Sequence, residues 1–168
     1  VDDGSSDGTA VVAAEHKVRA RVVSQDALGQ AAGLNRGIAL AGGNLLAFID
    51  HDDVWPKGRL SALRQAINLD PLTDAVHGLV VNTDASLKPF SEPIAAQVMG
   101  AMLIDRSAAL KIGQFRTDVQ HASIVDWISR ARRLGVRFKY VDQLVLYRRI
   151  HGDNMGIRER PLASENLL

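Results

Sequence analysis

Residues 44–53 read NLLAFIDHDD, an apolar run that breaks into three carboxylates within four positions. The run is short and lacks polar alternation, so residues 44–49 are expected to form a strand buried on both faces. Strands of that kind belong to sheets covered by helices, and the ligands of such sheets sit beyond the carboxyl ends of the strands. Asp50, Asp52 and Asp53 stand at such an end. Gathered carboxylates repel one another, and an oxygen-rich loop suits Mg²⁺ or Mn²⁺, which keep waters and bind substrate phosphates. The bland reading is a solvated acidic turn that caps the next helix. The buried strand before it shifts the balance toward a site.

Working outward, the pattern alternates. Residues 1–9, VDDGSSDGT, are a turn-rich loop, and Asp7 or Thr9 can cap a helix running to about residue 17. A strand is expected over residues 18–24 and a helix over 30–41, ended by Gly42 and Gly43. Downstream come a helix at 57–68, a strand at 75–82, and a loop at 83–98 that contains Pro89 and Pro93. A strand at 102–104 and helices at 106–112 and 124–134 follow, then strands at 136–141 and 144–150. This alternation predicts an α/β fold with a mainly parallel central sheet flanked by helices. One domain is expected over residues 1–155, with a polar tail at 156–168.

Composition narrows the partners. Apolar residues make up 46% and charged residues 23% of 168, which supports a packed core and argues against disorder. A net charge of +1 gives no reason to expect nucleic acid. The absence of cysteine excludes disulfides and thiolate metal sites and fits a reducing compartment. No apolar stretch approaches the roughly 20 residues of a membrane span.

Three further positions could carry chemistry. The opening Asp2, Asp3 and Ser5 could form a mere Asx-turn, or could meet a nucleotide, since an Asp at a strand end accepts hydrogen bonds from a base. Asp126 opens an amphipathic helix, where it either favours the helix dipole or acts as a general base, and periodicity does not choose between them. His151 follows Arg148 and Arg149, so the two guanidinium groups could meet phosphate charge and the imidazole could complete a metal shell.

Taken together, these stretches resemble the family 2 glycosyltransferases of GT-A fold. VDDGSSDGT is similar to that family's nucleotide-base loop, and LLAFIDHDDVWPKGRL at 45–60 to its DxD motif and following helix. Residues 29–43, GAMLIDRSAALKIGQF at 100–115, VDWISRARRLG at 125–135 and the closing YRRIHGDNM resemble further family segments, in the family's order. The family often carries Ala-Arg-Asn where this chain has Gly33-Leu34-Asn35. It also usually begins with a strand and helix before the DDGS loop. The opening at Val1 is therefore expected to be a truncation.

The resemblance implies a metal-dependent inverting transferase that moves a sugar from a nucleotide-diphosphate donor, by default a UDP-sugar, to an acceptor hydroxyl. The acceptor would be a glycan, a lipid-linked glycan or a protein. Asp3 would contact the base, with Asp2 and Ser5 in the same donor loop, and Asp50 would face the ribose and metal region. Asp52 would ligate Mn²⁺ or Mg²⁺, with Asp53 and His151 completing the set. Arg148 or Arg149 would meet the diphosphate, and Asp126 would be the catalytic base. The implied location is cytoplasmic, at the inner membrane face where the acceptor is lipid-linked. A nucleotidyltransferase and a non-catalytic nucleotide-sugar-binding module are the competing readings.

Overall fold

Strand residues with branched and apolar side chains form the core of the part of the chain that carries the acidic turn. The computed structural model describes residues 1–17, 20–119 and 122–151, and the chain divides into two units. The unit built from residues 47–104 and from 136 onward is organised around β2, Ala75–Thr83 (AVHGLVVNT), which is buried along most of its length. On one side β2 pairs in parallel with β5, Phe138–Arg149. On the other it pairs antiparallel with β4, Met102–Asp105, through its first half, and with the two-residue β3, Ile94–Ala95, further along. The sheet is therefore mixed, which corrects the expectation of a mainly parallel one. Residues 83–98, expected as a loop or excursion, contribute the short antiparallel strand β3.

β5 replaces the two strands expected at 136–141 and 144–150 by one irregular strand. His77 stands opposite Tyr140, Leu79 opposite Leu144 and Val80 opposite Leu146, so β5 takes up extra residues twice. Gly78 makes this possible. A Cβ there would sit 2.5 Å from the Gln143 carbonyl oxygen and 2.8 Å from a Val145 methyl, so only glycine lets the bulged strand approach. Helix α3, Arg59–Asn68, starts after Gly58 in a left-handed conformation and buries Arg59, Leu63 and Ala66 along one face. That face meets β2 and β5.

The other unit comprises residues 1–46 and 105–135. Helix α1 spans Thr9–Glu15 and buries no residue. Asp7 accepts hydrogen bonds from the Thr9 backbone N–H at 3.0 Å and from its hydroxyl at 2.6 Å, while Gly8 is the helix N-cap. The strand expected at 18–24 is reduced, among its described residues, to a single parallel bridge between Asp2 and Ser24. Helices α2, Gln30–Leu40, and α4, Arg106–Ile112, pack together, and α4 also packs on α5, Ser123–Arg133. Trp127 is fully buried and stacks on Phe115 at 4.8 Å between ring centroids. Its indole N–H donates to the Gly113 carbonyl at 2.9 Å, so the ring is buried with its polar atom satisfied. Strand β1, Leu45–Ala47, lies where the chain passes between units. Only Leu46 of it is buried, and Ile49 is exposed, so the expected strand at 44–49 is shorter and less covered than its apolar run suggested. The tail at 156–168 lies outside the described residues.

Candidate active site

An acidic turn after a strand is useful only if something holds it open against its own repulsion. Here the turn at residues 50–53 is zipped onto the end of β5. The Asp53 backbone N–H donates to the Asp50 carbonyl at 3.2 Å, closing the turn. Val54 and Tyr147 exchange backbone hydrogen bonds in both directions, at 3.0 and 2.9 Å. The Arg149 backbone N–H donates to Asp53 Oδ1 at 3.0 Å. Thr83 completes the clamp, its carbonyl accepting from Ile150 N–H at 2.8 Å and its hydroxyl donating to the Arg148 carbonyl at 3.3 Å.

This clamp brings together Asp50, Asp52, Asp53, Arg148, Arg149 and His151, which were separate in sequence. His151 Nε2 and Asp52 Oδ2 face each other at 3.0 Å, with side chains 30% and 16% exposed. Asp50 is exposed, and Asp53 is partly covered. Burial pushes the Asp53 carboxyl above the usual carboxylate range. The Arg149 N–H and the Arg148 charge pull it back, and the charges of Asp52 and Asp50 add to the rise. Asp53 is thus turned toward β5, with one oxygen engaged by backbone.

Two residues not singled out above tie the chain that follows this turn to residues 100–102. Trp55 and Arg59 both donate to the Gly100 carbonyl, at 3.1 and 3.0 Å, and Arg59 also donates to the Met102 carbonyl at 2.9 Å. The Arg59 guanidinium lies over the Trp55 ring at 4.1 Å from its centroid. Burial brings Arg59 down to about 10. The signal available was an arginine at the buried phase of α3, which is unusual enough to mark a site or a brace.

In the first unit, the opening loop is held by its own acids. The Gln25 side-chain amide and the Leu28 N–H donate to Asp3 Oδ1 at 2.7 and 3.0 Å, and the Gly29 N–H donates to Oδ2 at 2.8 Å. Burial alone would raise Asp3. The Gln25 amide and the Leu28 and Gly29 backbone hold it below the ordinary range instead. Asp2 pairs through its backbone with Val23 and Gln25, and its carboxylate accepts from Ser5 N–H at 3.4 Å. Asp3 is therefore the brace of the loop that leads into α2. Asp126 sits in the first turn of α5 and forms an ion pair with Arg130 at 2.8 Å.

Residues 1–117 match the family described as Glycosyl transferase family 2. The chain belongs to that family. An uncharacterized glycosyltransferase of Nostoc sp. is 31% identical over 83 residues, which are 47% of this chain and 26% of that protein. The crystal structure of S. aureus TarS 1-349 matches with a TM-score of 0.67 at 14% identity, covering 88% of this chain and 49% of the other. That likeness shows the fold, that of a GT-A glycosyltransferase. This family 2 domain thus spans about a quarter of the Nostoc protein and about half of the TarS chain. Among the described residues no helix is long and apolar enough to cross a membrane.

Proposed function

We propose that this family 2 domain transfers a sugar from a nucleoside diphosphate donor to an acceptor hydroxyl with inversion at the anomeric carbon. The observation that carries the reading is the meeting of Asp52 and His151 at the end of β5, beside Arg148 and Arg149. One carboxylate oxygen and one imidazole nitrogen make a sparse donor set. Among the described residues no group of three or more acidic or histidine side chains is placed to hold a metal by itself. Two donors suit Mn²⁺ or Mg²⁺, whose remaining positions go to water and phosphate oxygen. Asp52 and His151 would hold that ion, which would offset the charge that gathers on a leaving diphosphate.

The chain's own residues supply the rest. Arg148 or Arg149 adds positive charge for the diphosphate. Asp126 accepts the proton of the acceptor hydroxyl as its oxygen bonds to the anomeric carbon. The bond to the donor diphosphate breaks, and its electron pair leaves with the nucleotide. Asp2, Asp3 and Ser5 hold the nucleoside end. A uridine diphosphate sugar is the default donor, and the acceptor is a glycan, lipid-linked glycan or protein hydroxyl.

Calorimetric titration of donor with and without Mn²⁺ tests the reading. Asp52→Ala is expected to abolish the metal dependence of donor binding. Unchanged metal dependence in that variant would remove Asp52 from the role.

A further inference from the structure

Arg130 stands four residues after Asp126 on α5, and its guanidinium is fixed in three directions. Nε donates to Asp126 Oδ2 at 2.8 Å, Nη1 to the Ile112 carbonyl at 2.7 Å, and Nη2 to the Gln114 carbonyl at 2.7 Å. Both carbonyls belong to the segment that closes α4. Between them lies Gly113, whose carbonyl takes the indole N–H of the fully buried Trp127. The planar fork of an arginine matches such a set, and three bonds leave it little freedom to swing.

The consequence falls on Asp126. Its Oδ2 is occupied by Arg130, while Oδ1 takes no hydrogen bond from the described residues, and the side chain is 25% exposed. A carboxylate gripped by one oxygen has its second lone-pair edge set in direction, here with the Arg116 charge also acting on it.

We propose that Arg130 is a positioning residue that aims Asp126 Oδ1 at the acceptor proton, anchored by the carbonyls of Ile112 and Gln114. The proposal rests on Asp126 being the base. A plain weld between α4 and α5 would show the same three bonds, so stability alone does not separate the two.

A double-mutant cycle does. Turnover, donor affinity and thermal unfolding are measured for Arg130→Gln, Asp126→Asn and the pair together. Arg130→Gln is expected to lower kcat about 10- to 100-fold, the scale of a misplaced reacting group, with donor affinity unchanged. If Arg130 acts through Asp126, the double variant turns over no more slowly than Asp126→Asn. Additive losses overturn the proposal, and so does wild-type kcat in Arg130→Gln. Should Arg130→Gln fail to fold, Arg130→Lys takes its place in the cycle, since an ammonium keeps the ion pair while giving up part of the carbonyl anchorage. Normal turnover by Asp126→Asn would sink the base assignment itself. An inactive Asp126→Asn beside a normal Arg130→Gln sinks only the aiming role.

Discussion

Asn35 shows what a single side chain does in this molecule. Its amide donates to the Phe115 carbonyl at 2.9 Å and its carbonyl accepts the Phe115 N–H at 2.7 Å. One polar residue of α2 thereby pairs like a strand with a backbone segment eighty positions away. Two such bonds at a buried partner are together worth about 1–3 kcal/mol, so Asn35→Ala is expected to lose about that much in urea or thermal unfolding. Asn35→Asp should fare no better near neutral pH, because a carboxylate then faces the Phe115 carbonyl. The position stood out in sequence only as part of the Gly33-Leu34-Asn35 stretch. Its partner was invisible, since nothing in a periodicity says which distant backbone an amide will meet. Asp126 gave the reverse case. Its place in the first turn of a helix was legible, whereas Arg130, not singled out, was available only through the spacing that makes helical neighbours. What could not be read was that Arg130 would also reach two main-chain carbonyls.

The elements themselves were largely legible where one physical signal dominated. Helices α3, α4 and α5 and strands β2 and β4 lie within a residue or two of their expected positions, because apolar spacing and glycine stops agreed there. The region around β5 failed for a specific reason. A strand that accommodates extra residues breaks its own alternation, so one strand looked like two. α4 offers a clean test of an end signal. Asp105 is its N-cap and accepts from the N–H groups of Ser107 and Ala108 at 2.7 and 3.3 Å. The Ser107 hydroxyl and those backbone groups hold its carboxyl below the ordinary 3.8, outweighing burial. A carboxylate with a depressed native value stabilises the fold above its unfolded value, and that contribution fades as pH falls through the native one. Asp105→Ala is therefore expected to cost about 1 kcal/mol at pH 7. The difference from wild type should shrink as unfolding is followed down below pH 3.8. A gap that stayed constant with pH would mean that the charge plays no part in the cap.

For the molecule as a whole, family membership rests on a match across residues 1–117, whereas the proposed base Asp126 and the His151 segment lie beyond it. The acidic turn falls inside the match and its partner strand outside, so the fold was easier to recognise than the complete site. A panel of nucleotide sugars, read by release of nucleoside diphosphate, is the functional test at this scale. Diphosphate release that depends on an acceptor is expected. Pyrophosphate release from a nucleoside triphosphate and a sugar phosphate would instead mark a nucleotidyltransferase. Binding without any release would mark a module that has kept the ligand and lost the reaction. The bulged course of β5 bears on how such a chain can vary. Its extra residues set the phase with which the strand arrives at the acidic turn. A one-residue deletion between Tyr140 and Leu146 would leave the hydrophobic content almost untouched. It would also exchange the directions in which Arg148 and Arg149 point and shift the backbone N–H that Asp53 engages. A change of length in that short stretch is thus expected to disturb the turn more than a change of residue identity.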